Sequence, residues 1–195
     1  MARGIARDHD EKRAAIRKGA AEYFATHGFD RASMAGAASH CGVSKALLYH
    51  YYESKDALLF DILDTHLSDL LHIMEAVPDG PDYLRRLIHA ILAAYRNADA
   101  EHKLQADALN KLPPELRQPL LAHQRKMVQV MERAVRQIAP ENLSDPDHAR
   151  AAAMAVFGML NWFYMWHRPG RGVSREEYGD LVADMAIGGL PAISG

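Results

Sequence analysis

GVSKALLYHYYESK, residues 42–55, decides the reading of this chain. Gly42-Val43 makes a turn, and Ser44 is a predicted N-cap whose hydroxyl satisfies an orphan amide of the helix that follows. Ser54 begins the next helix. Between the two caps, Leu48 and Tyr52 fall four apart and face a core, while Lys45, Ala46, Tyr49 and His50 fall on the opposite side. A packed interior has no use for a cation, two aromatic hydrogen-bonding groups and a small apolar residue on one exposed face. A DNA duplex does. Lys45 reaches guanine acceptors and Ala46 fits against a thymine methyl, while the hydroxyls of Ser44 and Tyr51 and the ammonium of Lys55 suit phosphates.

Working outward, the spacing of apolar residues predicts helices and little else. The first runs from about Asp8 to His27, with Ile16, Ala20, Tyr23, Phe24 and His27 on one face, and Gly28 ends it. A second spans Met34 to Cys41, and its first turn is introduced by Ser33. A long fourth helix starts at Lys55 or Asp56 and continues to about Val77, where Pro78, Gly80 and Pro81 stop it. Further helices follow over about 82–98, 101–112, a start at Glu115 or Pro119 to Ile138, and Asp145-Pro146 to about His167. A capping box at Ser174-x-x-Glu177 opens the last one. Two threonines in the chain and no alternating β-branched run argue against strands. The fold expected is all-α, with about nine helices.

The chain has 195 residues, 49% of them hydrophobic, and a net charge of −2. That charge is unevenly placed. Residues 1–55 carry nine Lys/Arg against six Asp/Glu, net +3, which leaves −5 on residues 56–195. A basic head on an acidic body fits nucleic-acid binding at one end. Arg3, Arg7, Lys12, Arg13, Arg17 and Lys18 crowd the start, as a solvated first turn or as an arm adding nonspecific phosphate attraction.

From Ala14 to Leu59 the sequence resembles the DNA-binding head of the tetracycline-repressor (TetR) family. The landmarks are Tyr23-Phe24 and His27-Gly28-Phe29 at the end of the first helix, Ser33-Met34 at the start of the second, Ala38, and Gly42-Val43-Ser44-Lys45. Tyr49, Tyr52, Ser54, Lys55 and Leu58 complete them. The resemblance implies a helix-turn-helix domain over residues 1–55 and an effector-binding and dimerisation domain over 56–195. It also implies a fourth helix that transmits motion between them. Family members often place a polar or charged pair where this chain has Ala35-Gly36, which shifts base reading from the second helix to Lys45, Ala46, Tyr49 and His50. Ser44, Tyr51 and Lys55 are then expected on the DNA backbone, and Ser33 at the entry to the second helix is a further DNA-binding candidate.

In the C-terminal half, MAVFGMLNWFYMW over residues 154–166 is apolar around most of the helix, which predicts burial on several sides. Asn161 to Gly170, Ser174 and Gly188-Gly189-Leu190 resemble a TetR subgroup that senses coenzyme A thioesters. An apolar cavity lined by Tyr95, Met127, Met131, Phe157, Trp162 and Trp166, with Asn161 as a polar handle, is the expectation that follows. Packing of the same aromatics as plain core is the other reading. The two terminal helices suit the four-helix dimer interface known in the family. Geometry asks for a dimer independently, since one short recognition helix reads few base pairs and two helices spaced by about 34 Å read successive major grooves.

Other classes find little support. The eleven histidines are dispersed, without an i, i+4 pair and third ligand, so no metal is expected. Cys41, the single cysteine, reads as a small core residue. Walker, GxGxxG and nucleophile-elbow motifs are all missing, so neither catalysis nor a cofactor is expected. No segment reads as a membrane span or signal peptide, which places the protein in the cytoplasm. The function expected is a homodimeric repressor that binds a palindromic operator and is released by a small hydrophobic effector, an acyl-CoA thioester being the candidate. The alternative is a DNA-binding architectural or partner-recruiting protein without an effector.

Overall fold

The structure, a computed structural model, describes residues 2–168 and 170–192, with side chains for residue 7 and from residue 9 onward. Pro169 and the side chain of Arg3 lie outside the described residues. The described chain is helical: α1 (Ala2–His27), α2 (Met34–His40), α3 (Lys45–Tyr51), α4 (Lys55–Glu75), α5 (Tyr83–Ala94), α6 (Asp99–Ala108), α7 (Pro114–Ile138), α8 (Pro146–Trp166) and α9 (Arg175–Gly189). Short 3₁₀ turns at Leu109–Lys111 and Leu190–Ala192 extend α6 and α9.

The caps sit where the side-chain chemistry puts them. Ser33, Ser44 and Ser54 accept from the amides of Gly36, Leu47 and Ala57 at 3.1, 3.1 and 3.0 Å. Asp145 accepts from the amides of Asp147 and His148, two charge-assisted bonds that hold its carboxyl below the usual carboxylate range. At α9 the capping box is closed in both directions between Ser174 and Glu177. Gly28, at φ 78°, turns the chain out of α1 in the left-handed region that a side chain disfavours.

Two helix boundaries differ most from expectation. α1 begins at Ala2, six residues before the expected Asp8, because nothing between Ala2 and Asp8 breaks a helix except the tolerated Gly4. α5 stops at Ala94, short of Ala98, and Asn97 at φ 63° takes the turn. Asparagine supports that conformation through its short polar side chain.

The chain forms two compact units. One comprises Met1–Leu67 and Asn97–Leu121, the other Ser68–Arg96 and Ala122–Gly195. The first takes in the start of α4 together with α6 and the start of α7. Its core is built from Ile16, Ala20 and Phe24 of α1, Ala37 and Ala38 of α2, Leu48 of α3, Leu58, Ile62 and Leu63 of α4, and Leu104 of α6. Each fully buried leucine here contributes about 1.5–3 kcal/mol over an exposed one.

The second unit packs α5, α8 and α9 around Leu87, Ile88 and Ile91, Ala153, Val156 and Leu160, and Val182 and Ala183. α9 approaches α5 closely at Gly179, where a Cβ would come within 2.8 Å of the His89 ring. Arg85 of α5 then bridges Asp180 and Asp184 of α9, and His89 bonds Asp180 at 3.0 Å.

Candidate nucleic-acid interface

Recognition-helix geometry follows from its inner face. Leu48 is fully buried and Tyr52, the C-cap, is 4% exposed, so α3 is held by one side. The Tyr52 hydroxyl donates to Oδ2 of Asp61 on α4 at 2.6 Å. Arg13 of α1 meets the same carboxylate through Nη2 at 2.7 Å and Nε at 3.2 Å, and Arg17 reaches it at 3.4 Å. One carboxylate thus ties α1, α3 and α4 together. Burial, reinforced by the bond to Asp61, pushes the Tyr52 phenol above its ordinary pKa, so it stays a donor at any physiological pH.

On the outer face, Lys45, Ala46, Tyr49 and His50 are all exposed, as their spacing requires. The Lys45 ammonium lies 5.8 Å from the Tyr49 ring centre. Tyr51, half-buried, is flanked by aromatic rings: His9 of α1 at 4.7 Å and His50 edge-on at 5.7 Å. A groove of about 410 Å³ beside α3 is lined by Tyr49, His50, Tyr51 and Arg13 among others. Ser33 and Ser44 each accept one capping bond, which leaves their O–H protons available to an anion. Ser33 stands before α2 and Ser44 before α3, and Lys45, Ala46, Tyr49, His50 and Tyr51 follow along α3 itself.

Lys55 does not join them. Its ammonium turns inward to the carbonyl oxygens of Phe29 at 2.8 Å, Ala32 at 3.0 Å and Asp30 at 3.4 Å. Three carbonyl oxygens of the chain thus surround the ammonium expected on phosphate. Most of the basic residues of α1 are likewise engaged: Arg7 with Glu11, Arg13 and Arg17 with Asp61, and Lys18 with Glu101. Sequence reading missed Asp61. Its place three positions after the buried Leu58 and directly before the buried Ile62 was the available signal.

Gly36 has a packing reason. A Cβ at that position would lie 2.0 Å from the Tyr23 hydroxyl, so α1 occupies the space that a side chain from α2 would need. Cys41 is half-buried, its thiol 3.5 Å from the Ile16 carbonyl, and burial pushes its pKa up. That is the environment of an inert thiol. Among the described residues no group of three or more His, Cys, Asp or Glu is placed to hold a metal ion, and no helix is long and apolar enough to cross a membrane.

In the second unit, Tyr95, Met127, Met131 and Phe157 are buried. The Tyr95 hydroxyl donates to Oδ1 of Asn161 at 2.7 Å, which joins the end of α5 to α8. Trp162 and Trp166, expected on the same cavity, are instead 62% and 44% exposed. The buried stripe of α8 runs through Val156, Phe157, Leu160 and Phe163, and Trp162 lies off it. Trp166 packs edge-on against Phe163 at 5.2 Å and Tyr178 at 5.3 Å. With Met154, Met165, Leu181 and Met185, these two tryptophans leave α8 and α9 with a large exposed apolar surface.

Residues 16–62 match the family described as bacterial regulatory proteins, tetR family. Residues 78–190 match the tetracyclin repressor-like C-terminal domain. The transcriptional regulator MftR of Mycobacterium tuberculosis is 31% identical over 86 residues, 44% of this chain and 43% of MftR, so the match spans less than half the length of that relative. A TetR-family transcriptional regulator from Bordetella parapertussis 12822 has the same fold with a TM-score of 0.84 at 30% identity, over 89% of this chain and 93% of that one. AibR, in a complex with isovaleryl coenzyme A and operator DNA, gives a TM-score of 0.74 at 24% identity over 89% and 97% of the two chains, a likeness of fold. The C-terminal match alone covers more than half of the 195 residues, and with the helix-turn-helix geometry it makes this chain a member of the TetR family of transcriptional regulators.

Proposed function

We propose that the protein is a homodimeric, ligand-responsive repressor that binds a palindromic operator and is released by a small hydrophobic effector, an acyl-CoA thioester being the class favoured. The observation that carries the DNA-binding part is the exposed quartet Lys45, Ala46, Tyr49 and His50 on a helix whose other side is pinned by Leu48 and Tyr52. Lys45 and His50 read base edges, Ala46 and Tyr49 add apolar and hydroxyl contact, and Ser33, Ser44 and Tyr51 hold phosphates.

Dimerisation through α8 and α9 is supported by the exposed apolar side chains Met154, Trp162, Met165, Trp166, Leu181 and Met185 on those two helices. Trp162 then belongs to the interface between copies, and Tyr95, Met127, Met131, Phe157 and Asn161 remain the candidate effector contacts. The part-buried Tyr95–Asn161 bond gives a polar point among these candidates. The AibR complex with isovaleryl coenzyme A supports the thioester class.

Selection from a random duplex pool followed by native mass spectrometry tests the proposal. Two chains on an inverted-repeat duplex are expected. One chain per duplex, or recovery of sequences without symmetry, contradicts it. Trp162→Glu is expected to convert the dimer to monomer, because it buries an unpaired charge in the apolar seam.

A further inference from the structure

The turn between α1 and α2 presents a local electrostatic problem. The carbonyl oxygens of Phe29, Asp30 and Ala32 point toward one spot, and all three lie within 3.4 Å of a single atom, the Lys55 Nζ. Converging carbonyl dipoles repel one another, and no water is needed to relieve them when an ammonium with three N–H groups sits at the point of convergence. The ammonium also lies 4.4 Å from the centre of the Phe29 ring, within cation–π range. Phe29 is itself buried and meets Phe24 edge-on at 5.5 Å, so the clamp is anchored in the core.

We infer that Lys55 is a positioning residue for the DNA-binding surface and makes no phosphate contact: it holds the Phe29–Ala32 turn, and through it Ser33 and the start of α2, in the conformation that faces DNA. Its first residue position in α4 fixes the Cα, and its stem spans back to a turn 23 to 26 residues earlier in the chain. Lys45 makes the contrast, being exposed, with its ammonium beside the Tyr49 ring. Removing the Lys55 charge leaves three carbonyls facing each other, and the turn has to open. Ser33 then loses the fixed place from which it caps Gly36.

The inference rests on the proposed DNA-binding reading, and two measurements separate them. Amide hydrogen exchange over residues 29–36 is followed without DNA in the full-length protein, for wild type, Lys55→Met and Lys55→Arg. Affinity for a pool-selected duplex and for a scrambled duplex of equal length is followed across potassium chloride concentrations. Lys55→Met is expected to speed exchange over 29–36 and to weaken both duplexes by roughly 5- to 30-fold. Its log–log salt slope is expected to stay within ~0.3 of wild type, since no phosphate contact is lost. Lys55→Arg keeps the charge, yet its planar fork does not converge on three carbonyls, so faster exchange and weaker binding are expected there too. A slope shallower by about 0.9 in Lys55→Met overturns the inference, because that is the signature of one phosphate contact removed. Unchanged exchange, or full binding by Lys55→Arg, overturns it equally. Failure of wild type to bind any duplex contradicts the functional proposal and leaves the exchange result to decide the clamp.

Discussion

The Tyr52 phenol donates to the Asp61 carboxylate at 2.6 Å, and this bond fastens the end of the recognition helix to α4. Arg13 and Arg17 approach Asp61 from α1, so the position of α3 is set by the same group that fixes α1 on α4. A shift of α4 therefore carries α3 with it. Tyr52→Phe is expected to lower stability by about 0.5–1.5 kcal/mol, and Asp61→Ala by more, since Arg13 and Arg17 lose the same carboxylate. In a double-mutant cycle read by urea unfolding, a coupling of about 0.5–3 kcal/mol is expected, whereas additive losses would show the two groups to be independent.

Lys45→Ala is expected to cost about 1–3 kcal/mol of operator affinity and to relax preference at one base pair. Competition between duplexes that differ at single positions checks this. Equal losses on every duplex would make Lys45 a phosphate contact and not a base reader.

Gly36 sets two effects against each other. Helix propensity alone favours Gly36→Ala by about 1 kcal/mol. The Tyr23 hydroxyl stands 2.0 Å from the new Cβ, and the displacement of that ring is expected to win, with a net loss of about 1 kcal/mol. Tyr23→Leu in the same chain is expected to turn the loss into a gain. Thermal unfolding of the two variants against wild type reads the sign, and a stabilised Gly36→Ala single variant would show that the ring moves freely.

His66 of α4 adds a pH dependence to stability. Its Nε2 is buried without a hydrogen-bond partner, and burial, aided by His102 and Lys18, pushes its pKa down from 6.5 to about 4. The folded state therefore resists a proton that the unfolded chain accepts. Stability from this group is full above pH 6.5 and is lost as pH falls toward 4. Between about pH 7 and pH 5 the loss is about 2 kcal/mol, and His66→Gln is expected to remove that part of the pH slope. An identical slope in wild type and variant would contradict the assignment.

Much of this molecule was legible in its sequence because local chemistry and tertiary packing agree. Ser33, Ser44, Ser54, Asp145 and Ser174 cap the helices they precede, and the four-residue spacing of Leu48 and Tyr52 turns Lys45 and Tyr49 outward. What stayed hidden depends on contacts between residues far apart in the chain. Nothing near Lys55 announces three carbonyls more than twenty residues upstream, and nothing near Asp61 announces Arg13. Trp162 misled for another reason. An apolar residue on a helix that is apolar almost all round reads as interior, although the Trp162 ring is exposed in the single chain.

The central claim is that occupation of the body weakens DNA binding by the head. Titration of a pool-selected duplex against the dimer, with and without a series of acyl-CoA thioesters whose binding is measured separately by calorimetry, tests it most directly. A thioester that binds is expected to weaken duplex affinity by roughly 5- to 150-fold, a coupling of about 1–3 kcal/mol, and the duplex is expected to weaken thioester binding by the same factor. Identical duplex affinity with and without a thioester shown to bind would contradict the account.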